Sequence, residues 1–164
     1  MTKTTEDPTV QVLKRATTPT LSGKSRLTYE VGRNDREELC LRLTANTASG
    51  AFCQDWTRLP AILTILQKLP RHTPITSDSL MPLFKERSAN MPGFTWAILL
   101  NEGLVRRAEG TRRYEFAQPA EVETVLKALA EGQGASARAD AKGKAPKDRK
   151  GVPPRRPSAS RKKK

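Results

Sequence analysis

The chain has 164 residues, with 30 Lys or Arg against 17 Asp or Glu and a formal net charge of +13. That is room for one domain of ordinary size, and no apolar run approaches the roughly 18 residues that a membrane-spanning helix needs. The two cysteines are too few for a disulfide framework; with no apolar export signal among Lys3, Glu6, Asp7 and the early threonines, a reduced, cytoplasmic protein is expected.

In chain order, residues 1–24 form a Thr-rich leader punctuated by Pro8, Pro19 and Gly23. Val10, Val12 and Leu13 offer at most an edge strand, and the expectation is a flexible leader. Folded structure is predicted over 25–132. Leu27, Tyr29 and Val31 alternate with polar neighbours, and so do Leu39, Leu41 and Leu43, which is the period of half-buried strands. The polar cluster Gly32, Arg33, Asn34, Asp35 and Arg36 turns between them. This hairpin, 26–44, puts Leu, Tyr and Val on one face and Glu30, Cys40 and Arg42 on the other. Ala51, Phe52 and Cys53 are expected to add a short third strand.

A helix is predicted over 57–68, where Leu59, Ile62, Leu63 and Leu66 fall on one stripe and Pro60 sits in the opening turn. A second, short helix over 78–87 follows Ser77 or Ser79 and is limited by Pro82. A third, over 91–102, has Asn90 as its cap, Pro92 in its first turn and Gly103 at its end. Its body is apolar on most sides, and Trp96 is assigned to the core; Trp56 is read as a hydrophobic staple before the first helix. Residues 104–117 read as a small hairpin, with Arg106 and Arg107 on one arm and Arg112 and Arg113 on the other. A last amphipathic helix is predicted over 120–131, ending at Gly132.

Residues 133–164 are different in kind. They hold twelve Lys or Arg, two Asp and a single large aliphatic residue, Val152, a net of +10. Such a segment cannot bury enough apolar surface to offset the entropy of ordering, so it is expected to be disordered. A polycation beside a nearly neutral domain points to a polyanion, and nucleic acid is the commonest one. Arg149, Lys150, Arg155, Arg156, Arg161, Lys162, Lys163 and Lys164 are the candidate phosphate contacts there. No aromatic residue is interleaved with them, so their contribution is expected to be electrostatic and sequence-blind.

The order helix, short helix, helix, basic hairpin over 57–117, with the phrase Glu102, Gly103, Leu104, Val105 running into Arg106 and Arg107, resembles the winged helix-turn-helix family. By composition the tail resembles those of linker histones. The resemblance implies an α+β winged-helix-like domain, preceded here by an N-terminal antiparallel β-hairpin. It also implies a third helix beside double-stranded DNA, with the hairpin as a wing on phosphates. Asn90 and Thr95 are then the groove-facing candidates, and Lys85 and Arg87 extend the basic patch. That third helix carries no Lys or Arg, whereas major-groove reading relies on Arg, Lys, Asn and Gln, so specific readout is not expected of it.

Catalytic motifs are missing from the sequence. His72 is the single histidine, and its spacing from Cys40 and Cys53 matches no zinc site. No Gly-rich phosphate loop or nucleophile elbow occurs, and Glu30, Asp35, Glu37 and Glu38 read as solvated charge beside a turn. No catalytic residue, metal or cofactor is assigned. Two readings result. One is a non-enzymatic DNA-binding protein, regulatory or nucleoid-associated. The other is an adaptor whose apolar third helix docks a protein while the tail tethers the assembly to DNA or RNA.

Overall fold

The computed structural model describes residues 9–70, 75–111 and 113–133. It is a mixed α+β fold in which an antiparallel four-stranded sheet precedes the helices. Strands β1 (Gln11–Pro19), β2 (Arg26–Arg33), β3 (Leu39–Asn46) and β4 (Thr57–Arg58) lie in sequential order. Helix α1 (Leu59–Lys68) continues from β4, followed by a 3-10 helix, Ser77–Leu83. Then come α2 (Met91–Glu102), the hairpin β5 (Val105–Arg107) and β6 (Tyr114–Phe116), and α3 (Pro119–Ala130). The predicted third helix is therefore α2, with the expected bounds. Gly103 closes it in the left-handed conformation, φ 83°, as its position after the last apolar residue requires.

One face of the sheet makes the core. Leu27, Tyr29 and Val31 of β2, with Leu41 and Leu43 of β3 and Ala16 of β1, join Leu59, Ile62 and Leu66 of α1. Trp96, Ile98 and Leu99 of α2 and Leu129 of α3 complete it. Trp96 is fully buried and meets Tyr114 edge-on at 5.7 Å, as its core assignment requires.

Four expectations are corrected. Within the described part of the leader the chain is not loose: residues 11–19 form a nine-residue strand paired along β2 from Gln11–Arg33 to Pro19–Arg26, while residues 1–8 lie outside the described residues. Its inward residues are Ala16 and Thr18, too small or polar to give a hydrophobic signal. Residues 51–53 form no strand, because their backbone is spoken for: Ser88 Oγ and Asn90 Nδ2 donate to the Ala51 carbonyl, and the Cys53 N–H to Met91 Sδ. Thr57 and Arg58 pair with β3 instead, so the first helix starts at Leu59. The second helix is a 3-10 turn ending at Leu83, consistent with Pro82 lacking the N–H that an α-helix needs.

Candidate nucleic-acid interface

The core decides what α2 can do. Every residue from Met91 to Glu102 is buried or half-buried; Thr95 is 4% exposed. The sheet accounts for much of this. Lys14 Nζ of β1 donates to Glu102 Oε1 at 2.6 Å, the Tyr29 hydroxyl donates to the same oxygen, and Asn101 Nδ2 donates to the Tyr29 hydroxyl at 2.9 Å. Burial, then the Glu102 carboxylate, pushes the Tyr29 phenol well above its ordinary range. The β1–β2 turn also hangs over α2. Residues Thr18 to Gly23 face Ala97, Leu100, Asn101 and Arg107 across a cleft of about 530 Å³, and a second cleft of about 330 Å³ separates the turn from Pro92, Gly93 and Phe94. Thr95 therefore drops out as a groove contact. Asn90 is exposed, but it makes no side-chain cap and is committed to the Ala51 carbonyl at 3.1 Å.

The hairpin arginines divide. Arg106 is held by two carboxylates, with its Nε on Glu115 at 2.5 Å and Nη1 on Glu121 at 3.2 Å. Hydrogen bonding to Glu115, with both negative charges nearby, raises its pKa further. A guanidinium whose one charge is outweighed by two carboxylates is a poor first choice for phosphate. Arg107 is exposed and lies over the Tyr114 ring at 5.8 Å. Arg113 is exposed, and its side chain has no carboxylate within salt-bridge distance among the described residues. Arg112 lies outside the described residues, as do Arg149, Lys150, Arg155, Arg156, Arg161, Lys162, Lys163, Lys164 and His72. Lys85 is exposed; Arg87 is exposed and sits 3.6 Å from Asp55.

The far face of the sheet holds residues that sequence reasoning missed. Arg15, Glu30 and Arg42 are register partners across β1, β2 and β3, and Trp56, just before β4, completes the row. Glu30, read above as solvated, is only 2% exposed. Both its oxygens are taken: Arg15 Nε donates to Oε1 at 3.0 Å, Arg42 Nη2 to Oε2 at 2.5 Å. Burial alone would raise the Glu30 carboxyl, but the hydrogen bonds of Arg42 and Arg15, with their charge, leave it below the ordinary carboxylate range. The Arg42 guanidinium stacks on Trp56 at 4.5 Å, so Trp56 serves this face and is not a helix staple. The strand alternation of Glu30 and Arg42 was legible; their burial and joint clamp were not, because the row draws on four separate segments.

No group of three or more His, Cys, Asp or Glu side chains that could hold a metal occurs among the described residues. Cys40 and Cys53 are reduced and do not pair; Cys40 contacts the Glu38 carbonyl and Cys53 the Asp55 carboxylate. Among the described residues, no helix is long and apolar enough to cross a membrane. Comparison with protein-family models, with curated proteins and with solved structures finds no match.

Proposed function

We propose that this is a non-enzymatic nucleic-acid-binding protein that grips the phosphates of double-stranded DNA without reading its sequence. Its β5–β6 hairpin acts as the wing of a winged-helix-like unit, and residues 133–164 act as a polycationic grip. The order α1, 3-10 helix, α2, β5–β6 supports the winged-helix-like part. The observation that carries the reading is charge segregation: twelve Lys or Arg in residues 133–164 are balanced by only two Asp. Sequence-blind binding follows from the burial of α2, which offers no exposed side chain to a groove. A nucleoid-associated role in the cytoplasm suits such a protein better than recognition of one operator. The adaptor reading loses its proposed surface for the same reason.

Affinity for a labelled duplex, measured across a salt series with the full chain and with residues 1–133, tests this. Each neutralised phosphate contributes about −0.9 to the slope of log affinity against log salt. The full chain is expected to show the steeper slope, and two unrelated duplexes should bind alike. Discrimination between them by about a thousandfold, the lower range for specific binders, would overturn the reading. If residues 1–133 retain weak binding, Arg107→Ala with Arg113→Ala should abolish it. If they retain none, residues 133–164 alone carry the grip and the role given to the β5–β6 hairpin falls.

A further inference from the structure

The sheet has two faces, and only one is accounted for. Among the described residues the helices join the core on the face of Leu27, Tyr29 and Val31. The opposite face carries the row Arg15, Glu30, Arg42 and Trp56, and beside it Thr17, Thr28 and Thr44. Thr17 is exposed and receives an Arg26 Nη2 hydrogen bond at 3.1 Å; Thr28 and Thr44 are half-buried. What this face shows to solvent is cationic. The Glu30 carboxylate is hidden beneath its partners, whereas the Arg15 side chain is 69% exposed and that of Arg42 33%. Each guanidinium meets Glu30 through Nε and Nη2. Among the described residues each therefore keeps Nη1 unengaged, turned away from the clamp.

We propose that this face binds single-stranded nucleic acid, with Arg15, Arg42 and Arg26 on backbone phosphates and an unpaired base stacking against the Trp56–Arg42 pair. This deepens the nucleic-acid reading above and rests on it. The width of this face and its stacking groups both favour a single strand over a duplex. The row crosses four strand positions, roughly 14 Å at the ordinary strand spacing, and a sheet that wide does not enter a major groove, which admits one helix or a two-stranded ribbon. Unpaired bases, in contrast, stack on aromatic rings and on guanidinium planes, and this face carries both in contact. The clamp also fixes the guanidiniums in advance, so less side-chain entropy is lost on binding. Gly32 makes the arrangement possible. A Cβ there would stand 2.4 Å from Val10 Cγ1 and 2.9 Å from Trp56 Cη2, so only glycine lets the indole lie this close to the sheet.

The two tryptophans provide the experiment, because Trp96 is buried and Trp56 is not. The full chain is titrated with oligothymidylate and oligouridylate of about ten nucleotides, within the range one small domain covers. A blunt duplex of equal length is the control. Quenching of tryptophan emission by either single strand is expected in the natural protein and is expected to vanish in Trp56→Phe. Trp56→Ala should weaken single-strand binding by on the order of tenfold, the usual loss for one stacked base. Arg15→Ala, which leaves Glu30 its Arg42 partner, should weaken it several-fold while duplex affinity stays unchanged. Single-strand binding that ignores both variants and does not quench Trp56 overturns the sheet-face site yet leaves the duplex reading standing. If neither probe binds the natural protein, both readings fall.

Discussion

Buried polar atoms in this fold are few enough that each makes a specific demand. Trp96 fills the centre of the core, but its indole Nε1 has no hydrogen-bond partner among the described residues. Its value is thus packing, including the edge contact with Tyr114, while its N–H is a cost left in place. Trp96→Ala should lower unfolding free energy by about 3–5 kcal/mol, the range for deleting a buried aromatic. Trp96→Phe keeps a ring, fills part of the space and removes the unpartnered donor, so its cost should be clearly smaller than that of Trp96→Ala. Urea unfolding of the two variants checks this; a loss for Trp96→Phe as large as that for Trp96→Ala would overturn the packing account. Glu102 is the converse case. One oxygen accepts from both Lys14 and Tyr29 while the other has no partner among the described residues, so its pairing ties β1 and β2 to α2.

At the scale of elements, β1 against β2 is the contact that shapes the molecule. Gly32 of β2 sits where a side chain would strike Val10 Cγ1 at 2.4 Å, the Gln11 carbonyl at 2.9 Å and Trp56 at 2.9 Å. The carbonyl is backbone and cannot swing aside. Gly32→Ala should therefore cost about 1–3 kcal/mol, as overpacking does, and should shift Trp56 emission to the red as the indole is pushed off the sheet. An unchanged spectrum with native stability would show that β1 yields freely at this point.

The same strand marks the limit of what the sequence discloses. The stripe Leu59, Ile62, Leu63 and Leu66 announces α1, and Gly103 after an apolar run announces the end of α2. β1 is announced only by Val12 and Leu13 at its start, since its buried positions are Ala16 and Thr18 and its polar ones answer to partners on other segments. Lys14 is explained by Glu102, 88 residues later, and Arg15 by Glu30. Local pattern reports burial of large apolar groups; it does not report which charge will lie across from which. For the same reason the exposed hairpin positions Arg107 and Arg113 were legible as a class, whereas the capture of Arg106 by Glu115 and Glu121 required the fold.

For the molecule as a whole, folding and binding should answer to different variables. Folding answers to pH at both ends. The Glu30 carboxyl is depressed in the folded chain, so its contribution is complete above the unfolded carboxyl value of about 4.3 and is lost as pH falls through the lower folded value. The Tyr29 phenol is raised, so its contribution is complete below the unfolded value of about 10 and is lost as pH climbs beyond it. Stability should form a plateau between about pH 5 and 9, with Glu30→Gln flattening the acid limb and Tyr29→Phe the alkaline one. If the protein binds nucleic acid as proposed, its affinity should be constant across that window, which lies below the ordinary range of Lys and Arg, and should respond to salt alone. Anisotropy titrations of the full chain at about pH 6 and about pH 9, at one ionic strength, check the separation. A large loss of affinity at either pH would mean that a titrating group, and not the fixed cations, holds the nucleic acid.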